Sequence, residues 1–353
     1  MTQAPIPVFF HDDQLGFKPK YEWAFGERID HPETTARAES ILAAVEREPT
    51  IFERRIPTEI PIGALRALHN YALLTLYNTA ATQLAAGETF SPMVFPRARD
   101  GHGDPTNLHQ AGAFCFDSGT PLAQNTWQAA GLSAACARDA ADLVARGKNR
   151  LVYALSRPPG HHATRDSFGG YCYFANTAVA ARRLKRSGRV VVVDIDYHHG
   201  NGTQSLFYRA SNVFTISVHA DPRDAFPYFA GYAAETGKGA GLGFNLNIPL
   251  ERGIDGQSYL RTIDDHVLPA VRHYAPDALV IAAGFDTYRL DPVGHFTLDP
   301  DDYDALGERF GRLGLPTVVV QEGGYFAAHL GDLATRFLRG VRAGQRSAAT
   351  PIG

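Results

Sequence analysis

From about residue 150 onward, short runs of β-branched residues alternate with segments whose apolar positions recur at helical spacing. The strand-like runs are RLVYALS (150–156), RVVVVDID (189–196), NVFTISVHA (212–220), FNLNIPL (244–250), ALVIAAGFD (278–286) and PTVVVQEGG (316–324). The four consecutive valines of the second run lack polar alternation, the mark of a strand covered on both faces. Between the strands, 175–188 reads as a helix ending in a glycine stop, and 258–274 spaces its apolar residues at helical intervals. Repeated strand–helix–strand units predict an α/β fold, with a mostly parallel central sheet and helices on both faces. The first 150 residues are less regular. There, 31–48 and 125–147 read as helices, and the segment 91–112, rich in Gly, Pro and His, reads as a long loop of the kind that carries function. No linker or internal repeat divides the chain, so residues 1–353 are expected to form a single domain.

Composition narrows the function without naming it. With 353 residues, 44% of them hydrophobic, the chain can bury one large core. A formal charge of −3 supplies no basic excess to hold a phosphate backbone, which argues against nucleic acid. No apolar stretch approaches the ~20 residues of a membrane span. The start, MTQAPIPVFFHDD, lacks the charged and apolar regions of a secretory signal, so the expected location is the cytoplasm. Cys115, Cys136 and Cys172 are odd in number and show no metal-type spacing, so no disulfide framework is expected.

The chemistry collects where the strands end. RPPGHH follows the first strand and ends in His161 and His162. The second strand runs into Asp194, Asp196, His198 and His199; the fifth ends in Asp286 and the sixth in EGGY with Tyr325. In a parallel sheet these ends share one edge, where ligands of open α/β sheets bind. Side chains i and i+2 of a strand point the same way, so Asp196 and His198 can grip one ion, with Asp286 arriving from a neighbouring strand. Two carboxylates and an imidazole leave a coordination position open, which suits catalytic zinc and would also accept iron(II) or manganese. Singly, each residue has a bland reading: a core histidine, a solvent-facing pair, a helix cap, a half-buried tyrosine. Four of six strands delivering acid, imidazole or phenol to one edge is a coincidence that chance rarely makes.

Taken together, RPPGHH, FGGYC, DIDYHHGNGTQ, GFD and QEGGY resemble the histone deacetylase superfamily, and most closely its bacterial acetylpolyamine amidohydrolase branch. HPETTARAESILAA and DAFPYFAGYAAETGKGAG extend the resemblance over nearly the whole chain. It implies an arginase/deacetylase-like fold and a zinc-dependent deacetylase. Asp196, His198 and Asp286 would hold one zinc. His162 would be the main general base and acid, partnered by Asn201 where some relatives have aspartate, and His161 would act electrostatically, oriented by Asp194. Tyr325 would donate its hydroxyl to the oxyanion. Tyr171 and Phe226 would wall the substrate channel, with Gly170 as the floor that receives the acetyl group. One or two potassium ions are implied as well: one at Asp194, Ser217 and the backbone carbonyls of Asp196 and His198, another near Phe207 and Val213.

The same resemblance implies a homodimer, with the loop at about 91–122 narrowing the partner's channel, and small acetylated amines, acetylpolyamines foremost, as substrates. Acetyl-lysine side chains and other small amides are the alternative. Glu22 matches an acidic position of the branch, whereas Leu108 or His109, and Gly119, stand where the branch has loop glutamates; Asp104 and Asp117 are nearby acids. Two other classes are open to test. A binuclear manganese hydrolase of the arginase type would need bridging carboxylates where this chain has Gly200 and Tyr288. A non-catalytic binding module would have no need of intact ligands, both histidines and Tyr325.

Overall fold

The computed structural model describes residues 4–24, 26–96 and 103–349. Eight strands form one sheet: β1 (Ile6–Phe9), β2 (Phe52–Arg55), β3 (Leu151–Ala154), β4 (Val190–Asp194), β5 (Val213–Ala220), β6 (Asn245–Leu250), β7 (Ala278–Ala283) and β8 (Thr317–Gln321). Their order is β6-β5-β4-β7-β8-β3-β1-β2, and every pairing is parallel. All six strands expected from the sequence are present.

Helices cover both faces, as the unbroken valine runs require. Val190 and Val192 of β4 face the apolar layer formed with helices Tyr71–Gln83, Thr126–Ala145 and Asn176–Leu184. Val191 and Val193 point the other way, into the layer formed with helices Thr35–Glu46, Pro300–Gly311 and Ala327–Ala349. Each such valine, buried on its face, contributes about 1.5–3 kcal/mol of transfer free energy. The sheet interior therefore fixes the direction of β4 and, with it, the place where Asp194 leaves the strand.

Two features differ from the sequence reading. The first 55 residues supply β1 and β2, which the apolar pattern did not reveal. Pro7 interrupts the strand signal of β1, and β2 is an edge strand whose residues 53–55 stay partly exposed and polar. The helix expected over 258–274 is also not uniform. It runs from Gly256 to Thr262, widens into a π turn at Ile263–Val267, and resumes over Leu268–Tyr274. Pro269 has no N–H for the carbonyl four residues back, and Leu268 N–H instead reaches Ile263 O.

The strand order sets up the site. β4, β7, β8 and β3 are consecutive in the middle of the sheet. Their carboxyl ends carry Asp194 through His198, Asp286, Tyr325 and the His161–His162 pair respectively, so residues far apart in sequence meet at one edge.

Candidate active site

Asp196, His198 and Asp286 are buried, and one ligand atom from each lies within 4.8 Å of the others. His198 Nδ1 sits 3.0 Å from Asp286 Oδ2 and 3.3 Å from Asp196 Oδ1. One imidazole nitrogen cannot satisfy two buried carboxylates fully, so the donor set fits a divalent cation better than it fits itself. Backbone amides hold the outer oxygens: Tyr197 N–H donates to Asp286 Oδ1 at 2.9 Å and Gly323 N–H to Asp196 Oδ2 at 2.7 Å. Glycine clears the space beside them. A Cβ on Gly323 would lie 2.6 Å from Asp196 Oδ2 and overlap Asp286 Oδ2, and one on Gly284 would overlap the Asp196 carboxylate.

The local charge is strongly coupled. Burial and then the Asp196 charge push the Asp286 carboxyl up to about 7, outweighing His198. Burial also works against the ionised form of Asp196, but His161 and His198 outweigh it and hold that carboxyl well below the usual carboxylate range.

Beside this group, the rings of His161 and His162 stand 4.0 Å apart. His161 Nδ1–H donates to Asp194 Oδ2 at 3.0 Å, and His162 Nδ1–H donates to Asn201 Oδ1 at 2.7 Å. Both rings therefore turn Nε2 away from that partner, and on the neutral His162 the tautomer with the proton on Nδ1 is fixed. Their environments differ. Burial opposes charge on His161, yet Asp196 and Asp194 prevail and raise its pKa to about 10. His162 is held well below the usual histidine range by burial and by the neighbouring His161 and His198. Gly170, with φ of 57°, lies so close that a Cβ would overlap the His162 ring. Phe226 packs edge-on against that ring at 5.0 Å, and Tyr171 stands edge-on to Tyr325 at 5.7 Å.

The structure places the remaining candidate residues as follows. Asp194 is in register with Ser217 across β4 and β5, behind the histidine dyad. Phe207 and Val213 are buried together in the apolar layer on one face of the sheet. Glu22, on a hairpin of Tyr21–Ala24 and Glu27–Asp30, is buried and hydrogen-bonded to Tyr171; burial pushes its carboxyl up to about 7. The loop at 91–122 contains a 3-10 turn over Leu108–Phe114, and its residues 97–102 lie outside those described. Of its acids, Asp104 is exposed and caps its own turn through Thr106. Asp117 is turned inward: it accepts the amides of Gly119 and Gly170 and so pins Gly170. Tyr288 pairs its hydroxyl with His329 at 2.7 Å and offers no bridging carboxylate.

Several site residues escaped the sequence reading. Glu322, of the EGGY motif, accepts the amides of Gly160 at 2.6 Å and His161 at 3.0 Å, and the hydroxyl of Thr177 at 2.7 Å. Arg37, within HPETTARAES, donates to the carbonyls of Glu322 and Gly324, both at 2.5 Å, and lies 4.7 Å from the Tyr325 ring centroid. Glu33 Oε1 pairs with both Arg37 at 2.8 Å and Arg157 at 2.9 Å, all three deeply buried. The signal was available: charged residues inside the quoted motifs that no surface role required.

Residues 31–341 match the histone deacetylase domain, and the chain belongs to that family. Among curated proteins it is 38% identical to acetylpolyamine amidohydrolase 2 of Pseudomonas aeruginosa, over 94% of this chain and 98% of that one. It is also 38% identical to the acetylpolyamine amidohydrolase of Mycoplana ramosa, over 95% and 99%. The crystal structure of an acetylpolyamine aminohydrolase from Burkholderia pseudomallei superposes with a TM-score of 0.89 at 36% identity, covering 96% of this chain and 99% of the other.

The glycine cradle makes a prediction that needs no activity assay. Gly323→Ala should leave the fold intact yet weaken divalent-metal affinity about 10- to 100-fold, because its methyl group displaces both carboxylates. Competition against a chelator measures this; unchanged affinity would show that the cradle does not shape the site.

Proposed function

We propose that this chain is a zinc-dependent amidohydrolase that removes acetyl groups from small acetylated amines, acetylated polyamines first. The observation that carries the reading is a buried ligand triad beside two histidines whose Nδ1 atoms are both tied back. Two lines support the substrate: the names of the relatives, and an acid, Glu22, hydrogen-bonded to the channel wall Tyr171. Asp196, His198 and Asp286 would hold the zinc. When bound, the ion supplies Lewis acidity, polarising the amide carbonyl and lowering the pKa of water.

The other steps fall to this chain's own residues. His162, with Nδ1–H committed to Asn201, uses Nε2 to take the proton of the attacking water. Its amide partner lends no charge, so its basicity rises less than a carboxylate would raise it. Oxygen adds to the acetyl carbon, and Tyr325 donates its hydroxyl to the oxyanion that develops. Burial keeps that hydroxyl protonated. Such a donor contributes about 3–4 kcal/mol in the transition state. His162 then returns its proton to the leaving nitrogen, the C–N bond breaks, and acetate and a free amine depart. His161, paired with Asp194, steadies the charge that forms beside it. Gly170 leaves room for the acetyl group, and Tyr171 and Phe226 flank the methylene chain.

The reading extends to potassium held by Asp194, Ser217 and the carbonyls of Asp196 and His198, with a second ion near Phe207 and Val213. It also takes the protein to work in the cytoplasm as a homodimer joined through the 91–122 loop, where Met93 and Val94 are 81% and 72% exposed.

Tyr325→Phe should lower turnover of acetylated putrescine, cadaverine or spermidine by about two orders of magnitude with zinc retained. Acetyl-lysine peptides, run in the same panel, should be poorer substrates; comparable rates on bulky peptides would demote the polyamine reading. Because Glu22 titrates near 7, it carries charge above that pH and loses it below. The KM of a cationic substrate should therefore fall as pH rises from about 6 to 8, and Glu22→Gln should flatten that profile. A profile identical in wild type and variant would exclude Glu22 from recognition. Native mass spectrometry of zinc-loaded protein should return a dimer with one zinc per chain. A monomer would refute the dimer, two divalent ions per chain would favour the binuclear alternative, and equal melting in potassium and in tetramethylammonium chloride would refute the potassium sites.

A further inference from the structure

The loop that follows Asp286 turns back on itself and brings Asp291 under the EGGY segment. Asp291 is 8% exposed, and its carboxylate accepts four backbone amides. Oδ1 takes Val293 N–H at 2.9 Å and Gly294 N–H at 3.2 Å, within its own loop. Oδ2 takes Tyr325 N–H at 2.6 Å and Phe326 N–H at 3.1 Å, from a segment 34 residues further on. A local turn would use only the first pair; the second pair reaches across to the residue that carries the phenol.

The two ends of this contact lie against the chemistry. Gly294 packs so tightly that a Cβ there would overlap the carbonyl of Asp286, so the loop held by Oδ1 is seated on the backbone of a candidate metal ligand. Arg37 takes carbonyls of the same segment, those of Glu322 and Gly324. The backbone of 322–326 is thus held between opposite charges, amides toward Asp291 and carbonyls toward Arg37. Hydrogen bonds to an ionised acceptor are roughly twice as strong as neutral ones, and a carboxylate alone among side chains of this size presents two acceptor oxygens with no donor.

We propose that Asp291 is a positioning residue for the deacetylation reaction: it couples the loop of Asp286 to the backbone of Tyr325 and so fixes the phenol against the metal site. The proposal rests on the assignment of Tyr325 as the hydroxyl donor. Asparagine keeps the shape of Asp291 but must aim an NH2 group at one of the two amide pairs, and the pair it meets is pushed away.

The test is a double-mutant cycle on the zinc-loaded enzyme, with an acetylated diamine as substrate: wild type, Asp291→Asn, Tyr325→Phe and the double variant, each checked for zinc content and melting temperature. Asp291→Asn should lower kcat about 30- to 100-fold with KM changed less than about 3-fold, since a displacement of about an ångström at a reacting group has that cost. In the Tyr325→Phe background the same substitution should cost less than about 3-fold, because the hydroxyl it positions is already gone. An equal factor in both backgrounds, or wild-type kcat for Asp291→Asn, overturns the proposal and leaves Tyr325 in place. Near-wild-type turnover of Tyr325→Phe alone overturns the hydroxyl assignment and, with it, this proposal. Should Asp291→Asn fail to fold, Asp291→Ser, which leaves room for water at the amides, serves in the same cycle with the same outcomes.

Discussion

Two carboxylates and an imidazole buried at one point form the constraint on which the rest of the site depends. Asp196 and Asp286 repel each other where water cannot screen them, and the imidazole between them cannot neutralise both. Burying like charges this close is costly, and a divalent cation shared by the two carboxylates would relieve their repulsion. The sheet makes it possible. β4 and β7 are neighbours in register, their cores fixed by apolar packing on both faces, and the acids project from strand ends that have no freedom to separate.

Around that point the backbone carries much of the work. Amides of Tyr197 and Gly323 hold the outer carboxylate oxygens, Glu322 holds the amides of Gly160 and His161, and Asp291 and Arg37 hold the segment of Tyr325 through its amides and its carbonyls. Glycine at 170, 284 and 323 is required by close approach, since a methyl group at each would collide with a ring or a carboxylate. The buried charges are also paired: Glu33 contacts both Arg37 and Arg157, and Asp194 answers His161. Removal of any one strands its partner in a medium where charge is costly.

Much of this was legible in the sequence, for reasons that can be named. Apolar runs identified six of the eight strands; β4 and β7, covered on both faces, have almost no polar positions to blur the signal, whereas the edge strand β6 was legible despite Asn245, Asn247 and Pro249. β1 and β2 were not legible, since Pro7 and the polar edge residues of Phe52–Arg55 erase the pattern. The site residues could be read because parallel topology forces strand ends onto one edge, and the long motifs fixed which of them to compare. What the sequence did not reveal were the supports. Asp291, Glu322 and Arg37 act through backbone groups of distant segments, a relation that leaves no spacing signature. Asp117 shows the opposite case: an acid in a loop beside the candidate site invites a recognition role, whereas its hydrogen bonds are spent on the amides of Gly119 and Gly170.

The central claim is that three side chains from two strand ends share one cation, and diffraction at the zinc absorption edge tests it without intermediaries. Crystals of metal-loaded protein should give one anomalous peak per chain, bounded by Asp196, His198 and Asp286 and adjacent to His162. A peak elsewhere, or none under conditions where zinc is bound in solution, would contradict the account.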